Sequence, residues 1–169
     1  KRAKWSLYGG YAALIVLPFV ISFVMYSSYE EKEDPCEFVL LQPNIEPYQD
    51  KFNFLSRNQQ DDILFNLAQK GVTPNTRFMI GPETFTWHIN EDNPYTLSTV
   101  KRMKMFVDEH PNTDFILGAV TMKRYQTRNA PTSTAKKGRG YWYDTFNASV
   151  HMDTSGKCEF FHKSKLVVL

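Results

Sequence analysis

Apolar residues fall along this chain in different rhythms, and the first is an unbroken block. Residues 7–26, LYGGYAALIVLPFVISFVMY, carry no charge. At about 1.5 Å of rise per residue, a helix of that length covers about 30 Å, the thickness of a bilayer's hydrocarbon core. Trp5 and Tyr8 at one end, and Tyr26 and Tyr29 at the other, stand where interfacial aromatic belts form. Gly9, Gly10 and Pro18 are better tolerated in membrane helices than in soluble ones. A secretory signal peptide shares the basic start, but its apolar core is shorter and a small-residue cleavage motif follows it, which is not found here. A buried soluble helix of this length would be unusual without a charge. The pattern therefore predicts one transmembrane helix.

Beyond it the rhythm shortens. Residues 38–42, FVLLQ, form a short apolar run that predicts a buried strand. Residues 54–69 bring Leu55, Ile63, Leu64, Leu67 and Ala68 roughly onto one helical face, and Gly71 and Pro74 end that helix. Residues 77–80 predict a second strand, closed by Gly81 and Pro82. Asn93 and Pro94 open a second helix, with Leu97, Val100, Met103, Lys104 and Val107 at helical spacing and Pro111 past its end. Residues 114–120 predict a third strand. Two longer strands, about 143–152 and 158–168, follow around the turn Asp153-Thr-Ser-Gly156. Strand, helix, strand, helix, strand and hairpin predict an α/β domain with a mixed sheet. The helices cover one face of it, so the other face calls for a cover such as a second sheet.

Charge orients the chain. Lys1, Arg2 and Lys4 precede the apolar block, whereas Glu30, Glu31, Glu33 and Asp34 follow it, opposed only by Lys32. The positive-inside rule then makes the N-terminal flank cytoplasmic and residues from about 30 onward external, which in a bacterium means periplasmic. The organisation expected is a membrane segment over 1–29 with its basic flank, a linker over 30–37, and an α/β domain over 38–169. Residues 123–143 form a polar stretch without a clear period, carrying Lys123, Arg124, Arg128, Lys136, Lys137 and Arg139. It is either a solvated insertion or a lid whose charges and Tyr141-Trp142 touch anionic lipid.

Composition changes the picture little. Of 169 residues, 42% are hydrophobic and 22% charged, values of a globular chain with room for one core. A net charge of +2 gives no argument for nucleic acid. The start at Lys1 and the apolar finish at 166–169 read as cuts through a longer protein. The two cysteines, Cys36 and Cys158, lack zinc-ligand spacing, and they are either one disulfide or two free thiols.

Two local patterns carry candidate chemistry. GPET at 81–84 sets Glu83 just past the C-terminal end of a strand, where sites collect in open α/β sheets. FFHKSKL at 160–166 embeds Lys163 and Lys165 in an apolar strand, where an ammonium needs either a carboxylate partner or an outward-facing position. Taken in order with other segments, these patterns resemble the carbon–nitrogen hydrolase (nitrilase) superfamily. FVLLQPN at 38–44 is similar to its opening strand, and GPET to the motif bearing its catalytic glutamate. FILGA at 115–119 is similar to a following strand that ends in Gly, and YDTFNA at 143–148 to a further strand. FHKSKLV at 161–167 resembles the segment with its catalytic lysine.

The branch with a membrane helix directly before the hydrolase domain is that of the apolipoprotein N-acyltransferases. This resemblance implies a partial nitrilase-like αββα sandwich preceded by one transmembrane helix. It implies transfer of a fatty acyl group from phospholipid to the N-terminal amine of a lipidated apolipoprotein, through a thioester and without metal or organic cofactor. Glu83 would be the general base and Lys163 the oxyanion stabiliser, with Lys165 as the alternative lysine. The bilayer, the phospholipid donor and the apolipoprotein acceptor are the partners implied, and no nucleic acid. Neither Cys36 nor Cys158 matches the nucleophile's place, so the resemblance implies a nucleophilic cysteine after Leu169 and an inactive 169-residue piece. A membrane-anchored amidase of the same superfamily and a non-catalytic extracytoplasmic binding module are the alternatives. The enzyme readings require the Glu83 carboxylate and the Lys163 ammonium to converge.

Overall fold

A computed structural model of the chain describes residues 2–46 and 55–164. Its contacts separate two units, Lys1–Pro35 and Cys36–Leu169. The first holds a single helix, α1 (Arg2–Ser28), which encloses the apolar block. Within it Tyr8–Ser28 is long and apolar enough to cross a membrane. All its described side chains are exposed, on every side. A helix apolar all round has no face to turn toward water.

The second unit is a mixed α/β layer of seven strands and two helices among the described residues. The strands are β1 (Glu37–Leu40), β2 (Thr76–Ile80), β3 (Thr86–Asn90), β4 (Asp114–Tyr125), β5 (Lys136–Lys137), β6 (Trp142–Met152) and β7 (Cys158–His162). The helices are α2 (Arg57–Gly71) and α3 (Ser98–Glu109). β1, β2 and β4 run parallel, and β6 runs antiparallel beside β4 along its whole length. β3 also pairs parallel with β4, beyond the stretch that β2 occupies. Since β6 takes the other edge of β4, β2 and β3 share one lane of the sheet, interrupted by residues 81–85. On the far edge of β6, β5 and β7 likewise divide a lane.

Local signals explain the helices. Ser56 caps α2 through a reciprocal box: its hydroxyl accepts from the Gln59 amide at 3.3 Å, and Gln59 Oε1 accepts from the Ser56 amide at 2.9 Å. The predicted start at 54 lies outside the described residues. The second helix departs from expectation. Asn93-Pro94 opens only a 3-10 turn, Pro94–Thr96, and extended Leu97 separates it from α3. The true start of α3 is held from a distance, where buried Asp61 of α2 accepts from the Thr99 hydroxyl at 3.0 Å.

Both helices lie on one face. Leu64, Phe65 and Ala68 of α2 and Val100, Met103, Phe106 and Val107 of α3 join Met79, Phe115, Leu117, Val150 and Met152 of the sheet in one core. The Phe115 ring meets Phe65 at 5.5 Å and the edge of Phe106 at 5.3 Å. Alternation sends the other set of side chains to the opposite face. There Phe38, Leu40 and Phe161 remain 56%, 67% and 59% exposed, so no second layer covers them among the described residues.

Several sequence expectations shift. β3 was not expected at all, since His88, with φ +69°, bulges between Trp87 and Ile89 and breaks the alternation. β4 continues past 120 to Tyr125, and the aperiodic stretch 123–143 contains β5 and the start of β6. β7 ends at His162, and the predicted continuation over 165–168 lies outside the described residues. Cys36 and Cys158 are both free thiols, the first exposed and the second half-buried.

Candidate active site

Residues 81–85 leave the shared lane of β2 and β3 as an arch, while its hydrogen bonds to β4 persist. The Gly81 amide donates to the Ile116 carbonyl at 2.8 Å, the Gly118 amide to the Pro82 carbonyl at 3.1 Å, and the Phe85 amide to the Gly118 carbonyl at 2.8 Å. Thr84 turns the arch back with φ +50°. The arch passes over Gly118 so closely that a Cβ there would stand 2.5 Å from Glu83 Cα and 2.6 Å from the Pro82 oxygen. Only glycine leaves that room. Gly118 alternates with buried Leu117 and Ala119, so the arch rises on the face away from the helices.

Register brings the partners to the same face. Ser149 of β6 lies opposite Gly118, and Phe161 of β7 lies opposite Ser149. Two residues along each strand, Asn147 and Lys163 follow, and the ladder extends to them because the Lys163 amide donates to the Asn147 carbonyl at 2.8 Å. Lys163 Nζ donates to Glu83 Oε1 at 2.8 Å, and Asn147 Nδ2 donates to the same oxygen at 2.9 Å. Both bonds land on Oε1. The pair predicted from the motifs therefore converges across 80 positions of chain.

Neighbouring contacts brace this geometry. His162 points to the helix face, where its ring stacks on Phe146 at 3.7 Å and its Nε2 meets Glu91 at 2.6 Å. That clamp holds the end of β7 immediately before Lys163. Around the pair lies an open cavity of about 400 Å³, lined by Ile80, Ile116, Gly118, Asn147, Phe161 and Lys163 among others. Glu83 also borders a second hollow with Gln42, Asn44 and Phe85.

The Glu83 carboxyl is held below the usual glutamate range, first by the hydrogen bond from Lys163, then by Asn147 and the Lys163 charge, with slight opposition from burial. The ion pair is exposed, with side chains 36% and 64% accessible, so water screens it. A carboxylate, an ammonium and an apolar wall in one cleft provide a proton acceptor, a donor for a developing oxyanion, and a place for a hydrocarbon chain.

No protein-family model matches the chain, and no curated protein matches it at a significant level.

Neither cysteine belongs to this cleft. Cys158 opens β7 five residues before Lys163, roughly 17 Å away along an extended strand. Burial, with a smaller effect from Asp153, pushes its thiol up to about 11, so it stays protonated at neutral pH. Cys36 precedes β1 and is exposed. Lys165 lies outside the described residues. Asn147 was visible in the sequence only as part of the YDTFNA segment, and Gly118 only as the end of a strand motif. The sequence assigns neither a role, because the signal is the crossing of the arch, which sequence spacing does not carry. Among the described residues no three His, Cys, Asp or Glu side chains gather as a metal ion requires.

Proposed function

We propose that this chain is the membrane helix and the glutamate–lysine half of a nitrilase-like acyltransferase that moves a fatty acyl group from phospholipid to the N-terminal amine of a lipidated apolipoprotein. The observation that carries this reading is the meeting of Glu83 and Lys163 at 2.8 Å over Gly118, on the sheet face that bears exposed apolar side chains. The αββα sandwich belongs to the same proposal, with the second sheet covering that face.

Glu83 takes the proton of a cysteine thiol as the sulfur attacks the ester carbonyl of the donor. The oxyanion that forms takes hydrogen bonds from Lys163, and its collapse expels the lysophospholipid alkoxide, which recovers the proton from Glu83. The acceptor amine then attacks the thioester. Glu83 receives the amine's proton and returns it to the leaving thiolate. The reading needs a nucleophile that Cys36 and Cys158 do not supply. α1 sets the enzyme in the bilayer beside its donor, with the basic flank inside and the α/β domain in the periplasm.

The test uses the protein expressed from its full gene in bacterial membranes and given phospholipid with a labelled acyl chain. A hydroxylamine-sensitive label on the protein is expected. Glu83→Gln and Lys163→Met should each slow its formation by about 10²-fold or more. Labelling at the normal rate in both variants would overturn the reading. Without acceptor amine the thioester should persist, whereas rapid release of free fatty acid would indicate an amidase-like hydrolase.

A further inference from the structure

A second cavity, of about 420 Å³, opens between β3, β4 and the loop that carries β5. His88, Lys136, Lys137, Tyr141, Tyr143 and Thr145 line it, and no carboxylate does. Its cationic wall is built rather than loose. β5 pairs Lys136 with Tyr143 and Lys137 with Trp142, and the Gly138 amide donates to the Tyr141 carbonyl at 2.8 Å. Buried Asp144 anchors the preceding loop, accepting from the hydroxyls of Thr132 at 2.7 Å, Thr134 at 2.9 Å and Tyr125 at 3.1 Å. The Tyr141 ring packs on Gly138, where a Cβ would meet it at 2.8 Å, and the Arg124 guanidinium sits 4.9 Å from that ring's centre. His88 is the bulged residue of β3, thrust out with φ +69°.

The cavity is one step from the candidate active site. Met122 pairs with Thr145 and Val120 with Asn147, so the Thr145 rung follows the Asn147 rung on the same face. Two residues of strand separate them by about 7 Å. That is a distance a single glycerol unit bridges between its phosphate and an ester carbonyl.

We propose that this cavity binds the phosphodiester of the acyl donor, with Lys136 and His88 facing the anion, so that the donor's ester carbonyl falls between Glu83 and Lys163. The proposal rests on the acyl-transfer reading and sharpens it: the donor is selected by a phosphate and not by its acyl chain alone. Tyrosine and threonine hydroxyls supply the remaining donors for the phosphate oxygens.

The experiment measures binding of short-chain phosphatidylglycerol, of diacylglycerol with the same chains, and of glycerol 3-phosphate to the full chain in neutral detergent, using the fluorescence of the tryptophans, of which Trp142 adjoins Lys137. Phosphatidylglycerol is expected to bind at least about tenfold more tightly than either fragment. Lys136→Gln should abolish that preference while leaving diacylglycerol binding unchanged, since the lysine is exposed and replaceable, whereas Lys137→Gln, on the opposite face beside Trp142, should keep it. Equal affinity for phosphatidylglycerol and diacylglycerol, or an undiminished preference in Lys136→Gln, overturns the proposal. Glycerol 3-phosphate binding as tightly as the lipid reassigns the cavity to soluble phosphates and also overturns it. Loss of thioester formation is read separately through Glu83→Gln, so failure of the acyl-transfer reading leaves these binding outcomes distinct.

Discussion

Glu83 receives two hydrogen bonds on one oxygen, and that arrangement decides how it titrates. The donors favour the charged carboxylate, so its pKa lies below the ordinary value and the base stays ionised as pH falls. Removing a donor raises the pKa toward the ordinary range. Asn147→Ala should therefore move the acid limb of the pH profile of the proposed acyl transfer to higher pH while leaving the alkaline limb in place. An unmoved acid limb would show that Asn147 does not tune the carboxylate. The same sign applies to stability: the folded form gains from the ionised Glu83 above its unfolded pKa and loses that gain as pH drops through the folded one. Gly118 makes a sharper demand. Gly118→Ala drives a methyl into backbone atoms of the arch, which cannot rotate aside as a side-chain tip would. An overpacking cost of about 1–3 kcal/mol is expected in chemical denaturation, with a drop in transfer rate beyond what lost stability explains.

At the scale of elements, what the sequence revealed follows from how much of each signal is local. α2 was legible because its apolar face and the Gly71 and Pro74 that end it are local, although its start at the Ser56 cap was not read. β2, β4 and β6 were legible as apolar runs. β3 was not, because Thr86–Asn90 is short and its bulge at His88 shifts the alternation halfway along. The 3-10 turn ahead of α3 was missed because what supports the helix start, Asp61, is 38 residues away from Thr99. Glu83 and Lys163 each stand out in a local pattern, but their pairing is legible only through resemblance, since nothing near Glu83 announces a lysine 80 positions later. The basic stretch looked formless because Asp144, which organises it, sits beyond the loop it holds. Asp144→Ala should free that loop. Limited trypsin digestion is expected to cut at Arg128, Lys136 or Lys137 several times faster than in the unaltered protein, with the core strands still protected. Unchanged cleavage rates would mean the three hydroxyl contacts do not hold the loop.

On the scale of the molecule, Tyr8–Ser28 is long and apolar enough to cross a membrane, and in the proposed reading the charges flanking it set the direction. Cys36 offers a reporter just beyond the helix. In intact cells whose outer membrane has been permeabilised, a membrane-impermeant maleimide is expected to label Cys36 quickly. Cys158 should react far more slowly, because burial keeps its thiol protonated. Labelling of Cys36 only after the inner membrane is broken would reverse the orientation. The arch carries a last consequence. Its flanks rejoin β4 on either side, so residues could be inserted into or removed from 82–84 while every strand keeps its inward and outward sets. One residue added within β4 would instead turn all later side chains over. Grafts that lengthen, shorten or exchange those few residues thus offer a way to re-aim the carboxylate on an unchanged scaffold.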